Sequence, residues 1–157
     1  MKGSNGTVTT DTQFSVFLAN KPAVLAQICQ RLAEDKINIV ALSMMDATEH
    51  GVLRLVVEDT ERARKSLAAV NVPMTETNVL MAALPNRPGA LADIVERLAS
   101  NHINVNYAYC TSGFTGGKAM GVFRVSDLHK AAQVLAERKP RRKGESAVRA
   151  ALSARRK

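Results

Sequence analysis

The sequence predicts an α+β protein made of two ferredoxin-like βαββαβ units in tandem, each an antiparallel sheet with helices on one face. Two observations support this prediction. A segment of twenty-two residues that begins at Leu18 returns sixty-six residues later at Leu84, with eleven identical positions. Within each copy, apolar residues first alternate, then follow a helical period, and then alternate twice more. Because two copies are too few for a solenoid, each copy is predicted to be a small domain.

The first strand and first helix of each copy are joined by a short turn. Gln13 to Ala19 alternates as a strand. The Asn20-Lys21-Pro22 turn predicts a helix start, because proline suits the first helical turn and asparagine can accept hydrogen bonds from free amides. An apolar stripe at i, i+3, i+4 and i+7 predicts the helix face that covers the sheet. Its members are Leu25, Ile28, Cys29 and Leu32 in one copy, and Leu91, Ile94, Val95 and Leu98 in the other.

Two β-rich runs follow each of these helices. Ile37 to Met45 and Val52 to Glu58 predict a hairpin in the first copy. Ile103 to Cys110 and Ala119 to Val125 predict the equivalent hairpin in the second copy. Each hairpin supplies the flat apolar surface that the helical stripe needs.

A second helix completes each copy. Thr60 to Val70 and Ser126 to Arg138 have helical character, and Asp59 and Asp127 are placed to cap these two helices. Each unit therefore runs strand, helix, strand, strand, helix, and requires one more strand to close its sheet.

The short spacing between the copies predicts how the units join. Asn78 to Leu84 must close the first unit and open the second, because too few residues are present for two long strands. No closing strand is evident after Arg138, since Pro140 and a run of charges interrupt any β pattern. The predicted organisation is a flexible N-terminus (1–12), a first domain (13–77), a second domain (78–137) and a basic C-terminal tail (138–157).

The net charge of +8 lies entirely in the tail. Residues 138–157 carry nine basic residues and one acidic residue, whereas residues 1–137 carry thirteen of each. The excess charge therefore says nothing about what the two domains bind. We expect a solvated extension, with contact to nucleic acid or an acidic partner through counterion release as the alternative.

Reactive side chains are not spaced as in an enzyme or a metal site. Cys29 and Cys110 belong to no CxxC motif, and no histidine is paired with an acid and a nucleophile. The sequence also lacks a long apolar run that would predict a membrane span or a secretory signal. We therefore expect a cytoplasmic protein without a cofactor, a metal or catalytic activity.

The repeated turn resembles that of an ACT domain. The motif is Asn86-Arg87-Pro88-Gly89-Ala90-Leu91, followed by a helix and by Ile103-Asn104-Val105. The resemblance covers about residues 13 to 137 and is closer to stand-alone tandem ACT proteins than to an ACT domain attached to an enzyme. It implies allosteric regulation: a small molecule, usually an amino acid, binds at the junction of two ACT units and the change is signalled to a partner.

The resemblance also implies a ligand site. In the similar ACT domain of phosphoglycerate dehydrogenase, a turn asparagine and an asparagine early in the next strand of a neighbouring unit hold the effector. Independently, free amides at a helix N-terminus favour a carboxylate, and Gly89 removes a side chain that would block close approach. Ala23 replaces this glycine in the first copy, which makes the second copy the better candidate. The candidate residues are Asn86, Arg87, Pro88, Gly89, Ala90, Leu91, Asn38, Asn20, Ala23, Val24, Leu25 and Asn104.

Three functions remain open at this point. The chain is an amino-acid sensor, a ligand-free structural or protein-interaction module, or a nucleic-acid contact that acts through the tail. A purely structural role for the asparagines is the alternative to ligand binding, in which Asn20 and Asn86 cap helices while Asn38 and Asn104 satisfy strand ends. We also expect a homodimer, because a small sheet with an exposed edge gains by pairing.

Overall fold

The computed structural model describes residues 8–19, 21, 23–45, 50–114 and 118–137. Each helix and strand of the first half has a counterpart in the second half, beginning with β1 and β4. The elements of the described chain are β1 (Val8–Ala19), α1 (Val24–Glu34), β2 (Ile39–Met45), β3 (His50–Val57), α2 (Thr60–Ala69), β4 (Met74–Pro85), α3 (Ala90–Ser100), β5 (Val105–Phe114), β6 (Lys118–Val125) and α4 (Leu128–Ala136). None of the helices in the described part of the chain has both the length and the apolar character needed to span a membrane.

The six strands form one antiparallel sheet in the order β2-β3-β1-β4-β6-β5. The strand β4 closes the first unit and opens the second, which confirms the prediction of a shared strand. The strand β1 pairs with β4 from Val8↔Ala82 to Val16↔Met74 and so takes the place of the closing strand that the second unit lacks. The first strand of each unit therefore closes the other unit, and the two units interlock.

The strand β1 begins five residues earlier than the predicted start at Gln13. Residues 8–12 had been assigned to a flexible N-terminus, and that assignment is wrong for them. The reason is tertiary: these residues pair with Asn78–Ala82 of β4, whose second half needs a partner on that side. Residues 1–7 and the predicted tail at 138–157 lie outside the described residues.

Four helices cover one face of the sheet and bury two apolar cores. Ile28 and Leu32 of α1 and Leu98 of α3 are buried as the stripe predicts. Leu25 and Leu91 are 36% and 46% exposed, so their predicted place in the stripe is wrong. Val24 and Ala90 face inward in the first turn instead, one residue earlier. The largest fully buried side chains are Phe14, Ile28, Leu32, Leu53, Leu55 and Leu67 in the first core, and Leu80, Leu98 and Phe123 in the second.

The helices α1 and α3 both begin later in the chain than the turn proline predicts. The helix α3 begins at Ala90, and its N-cap residue is Gly89 with a left-handed φ of 82°. The helix α1 begins at Val24 after Ala23, whose φ is 75°. The left-handed residue reverses the chain before each helix, which moves the helix start past the proline. Asn20 and Pro22 lie outside the described residues.

The helix α2 begins at Thr60 as predicted, whereas α4 begins at Leu128, two residues after the predicted start at Ser126. The Oδ1 atom of Asp59 accepts from the amide of Arg62 at 3.0 Å, and the Oδ1 atom of Asp127 accepts from the amide of Lys130 at 2.9 Å. These bonds confirm that the two aspartates cap α2 and α4.

The sheet is curved, and its helix-free face is concave. The side chain of Gln13 on β1 is fully buried and accepts from the hydroxyl of Tyr109 on β5 at 3.0 Å. On a flat sheet these two strands lie about 14 Å apart, at roughly 4.8 Å per strand. The Nε2 atom of Gln13 also donates to the hydroxyl of Tyr107 at 2.8 Å. The edge strands β2 and β5 accordingly approach each other.

Candidate functional site

A pocket of about 210 Å³ opens beside the predicted turn in the second unit. It lies between the end of β4, the first two turns of α3, the last turn of α4 and the start of β1. Its lining combines aliphatic and charged residues. The aliphatic residues include Val8, Ala82, Pro85, Ala90, Ile94 and Leu135.

The pocket lies at the junction of the two units. Val8 belongs to the first strand of the chain, whereas the rest of the lining belongs to β4 and the second unit. At about 210 Å³ the pocket is larger than the roughly 150 Å³ cavity that holds a benzene molecule, so it has room for a small amino acid.

The charged part of the lining consists of two guanidinium groups and a carboxylate. The Nη2 atom of Arg87 lies 2.6 Å from the Oδ2 atom of Asp93, and both side chains are about half exposed. Arg97 also lines the pocket, and its Nη2 atom donates to the carbonyl oxygens of Val134 and Glu137. Arginine binds carboxylates and aspartate binds ammonium groups, so this part of the lining matches both charged ends of an amino acid.

The turn places the start of α3 at the pocket. The residues of α3 that line the pocket are Ala90, Asp93, Ile94 and Arg97, which share the inner face of the helix. A Cβ atom on Gly89 would lie 3.7 Å from Nη1 of Arg87, an ordinary contact. The left-handed φ of Gly89 favours glycine, although Ala23 adopts a similar φ in the first copy. That a side chain at this position would block the approach of a ligand stays a prediction.

The turn asparagine and the strand asparagines are far apart in one chain. Across the sheet Asn38 is level with Val79 of β4, seven residues before Asn86, or about 23 Å at 3.3 Å per residue. Asn104 follows the far end of α3, about 16 Å from its start at 1.5 Å per residue. A site that combines Asn86 with Asn38 or Asn104 would require a second chain.

The strand asparagines have local partners. The Nδ2 atom of Asn38 donates to Oε1 of Glu58 at 2.9 Å. The backbone amide of Asn104 donates to Oγ of Ser126 at 3.0 Å. The Asn38 side chain thus ties the beginning of a strand to the end of its hairpin, as the structural alternative predicts. The Asn104 contact uses the backbone, so the role of the Asn104 side chain stays a prediction.

The remaining candidates surround the turn. Asn86 is exposed, and α3 has no side-chain cap, so the capping role considered for Asn86 is wrong. Arg87 and Ala90 line the pocket, whereas Pro88 and Leu91 are exposed at the surface. In the first unit Ala23 and Leu25 are exposed, and Val24 packs against the first core.

Two of the pocket positions differ between the two copies, and this difference was available from the sequence alone. At the position of Ala90 the first copy has Val24, a larger side chain that packs against the first core. At the position of Asp93 the first copy has Gln27, which carries no charge. A smaller side chain close to a charged side chain, in only one of the two copies, is the pattern expected for a polar pocket.

The chain is similar to one protein family and to several solved structures. A family model described as an ACT domain pair matches residues 9–146. The crystal structure of protein BT0572 from Bacteroides thetaiotaomicron superposes with a TM-score of 0.75 and 31% sequence identity, over 82% of this chain and 88% of that chain. The ligand-free regulatory subunit of aspartate kinase from Thermus thermophilus superposes with a TM-score of 0.60 and 14% identity, over 83% and 95%. No curated protein sequence matches the chain.

Proposed function

Because the chain belongs to the ACT domain pair family, we propose that it binds an amino acid at the junction of its two units and signals occupancy to a partner. The observation that supports this function best is the junction pocket, which Arg87, Asp93 and Arg97 line together with aliphatic residues. The proposal makes the chain a regulatory protein and not an enzyme.

The exposed ion pair at the pocket favours an amino acid over a simple anion. The Arg87–Asp93 pair is about half exposed, and such pairs contribute at most about 1 kcal/mol. A zwitterion can therefore insert between the two side chains at small cost. Its carboxylate lies between Arg87 and Arg97, its ammonium group binds Asp93, and its side chain lies against the aliphatic residues of the lining.

A thermal-shift screen of the purified chain against the common amino acids tests this function. A ligand at about a hundred times its dissociation constant stabilises the native state by ~2.7 kcal/mol. We expect one or a few amino acids to raise the melting temperature, and Arg87→Gln and Asp93→Asn to abolish the shift. The control is Lys21→Gln, at the position equivalent to Arg87 in the first copy, and it should leave the response intact. A flat response from folded protein would contradict the proposal.

An apolar surface on the first unit supports the homodimer and the second candidate function, a protein-interaction module. Leu42, Met44 and Met45 of the edge strand β2 and Phe17 of β1 are between 41% and 50% exposed. The register places Leu42 and Met44 on the helix face of the sheet and Phe17 and Met45 on the opposite face, so both faces of this edge are apolar. The equivalent residues of the second copy are smaller: Ala83, Ala108, Cys110 and Thr111. We propose that a second copy of the chain covers this surface.

The oligomeric state tests the dimer proposal. Light scattering on Leu42→Lys should report a monomer, because a charge in an apolar interface is costly. The matched change in the second unit, Ala108→Lys, should leave a dimer. A wild-type monomer at high concentration would contradict the proposed dimer without affecting the junction pocket.

A further inference from the structure

Arg97 contacts both the junction pocket and the end of α4. Its Nη2 atom donates to the carbonyl oxygen of Val134 and, at 2.6 Å, to that of Glu137. These carbonyls belong to the last turn of α4 and to its C-cap, where helical hydrogen bonding leaves acceptors free. Leu135, in the same turn, lines the pocket. One guanidinium group thus joins the pocket wall to the end of the helix.

The first unit does not use its equivalent arginine in this way. The Nε atom of Arg31 lies 3.1 Å from Oδ2 of Asp35, four residues later on the same helix. In the second copy that aspartate is replaced by Asn101, whose Nδ2 atom donates to the carbonyl oxygen of Arg97 at 2.9 Å. Arg97 has no carboxylate at that position and contacts α4 instead. Its contact with α4 is therefore a feature of the second unit and not a requirement of the fold.

The hydrogen bonds of Arg97 determine whether a bound carboxylate would strengthen or weaken its contact with α4. A guanidinium group has five N–H donors in a fixed planar arrangement. Each of its two edges that can hold a carboxylate in a bidentate manner includes one hydrogen of Nη2. Both Nη2 hydrogens are already directed at Val134 and Glu137. A carboxylate that binds Arg97 in a bidentate manner must displace one of these carbonyls.

We infer that Arg97 couples ligand binding in the pocket to the C-terminal end of α4, an inference that rests on the proposed function. When the ligand carboxylate engages Arg97, the last turn of α4 loses one of its two bonds to this side chain. The chain continues directly from this turn into residues 138–157, which carry the entire net charge of +8. Arg97 acts as a positioning residue, and the end of α4 is the part of the described chain that reports occupancy.

Hydrogen exchange of the full chain measures this coupling. The probe is a saturating mixture of the common L-amino acids, and the readout is the amide exchange of peptides that contain Leu135 to Glu137. We expect the mixture to speed this exchange about tenfold, the factor that corresponds to about 1.4 kcal/mol. In Arg97→Lys the ammonium group offers no bidentate edge, so the amino acids should no longer change the exchange rate. The matched control Arg31→Lys should respond like the wild type.

The possible results separate the two proposals. A thermal shift with the mixture, together with unchanged or slower exchange at the end of α4, would overturn the role of Arg97 and leave the proposed binding function in place. An unaltered exchange response in Arg97→Lys would also overturn it. Absence of any thermal shift in folded protein would overturn both. Circular dichroism confirms that each variant is folded, so that a missing response is not a result of unfolding.

Discussion

Replacement of Ala90 by valine should stabilise the fold and weaken ligand binding at the same time. Ala90 is 7% exposed and lines the pocket, and the first copy already has a valine at the equivalent position. Two added carbon atoms buried in the pocket contribute up to about 1.6 kcal/mol, at about 0.8 kcal/mol per carbon. The lower helix propensity of valine removes about 0.6 kcal/mol. The net gain is about 1 kcal/mol, which raises the melting temperature by about 2–4 °C.

The same substitution reduces the space for the ligand. We expect titration calorimetry with the strongest amino acid from the screen to show at least a tenfold loss of affinity in Ala90→Val. The matched control is Ala92→Val, an exposed position on the same helix, which incurs the propensity cost without filling the pocket. Full affinity in Ala90→Val would refute the placement of the ligand, and a lower melting temperature than in Ala92→Val would refute the reasoning about free space.

Three further predictions concern the fold itself. Gly121→Ala should destabilise the protein by about 1–3 kcal/mol in urea denaturation, because its Cβ would lie 2.6 Å from a buried phenylalanine ring. Tyr109→Phe should cost about 1–3 kcal/mol in the same assay, since it removes a donor to the fully buried Gln13. The hydrogen bond from the Ser66 hydroxyl is the main reason that the pKa of Asp35 lies below its usual 3.8. The Asp35 carboxylate therefore contributes to stability above that pH, and this contribution is lost as the pH falls below it. In Asp35→Asn, the free energy of unfolding should therefore fall less than in the wild type when the pH is lowered below about 4.

The duplication made most of the fold predictable from the sequence. The same apolar stripe occurs in both copies, which supported the prediction of a helix in each. The short spacing between the copies required the shared strand β4. The early start of β1 was missed because residues 8–12 are mainly polar and do not alternate. Only their pairing with β4, across the two units, makes them a strand.

The candidate site was predicted in part. The turn motif located Arg87 and Ala90, which line the pocket. The other side of the pocket is formed by Val8 and Leu135, which are distant in sequence and meet only because the two units interlock. The strand asparagines were selected by resemblance to a site between two neighbouring units, and in one chain they are remote from the turn.

A titration of isotope-labelled protein with the strongest amino acid from the screen, followed by amide chemical shifts, locates the ligand. Binding at the junction predicts that the largest shifts occur at Val8, Ala90 and Asp93, with little change at Asn38 and Asn104. Shifts centred on Asn38 or Asn104 would contradict binding in the junction pocket and indicate a site between two chains.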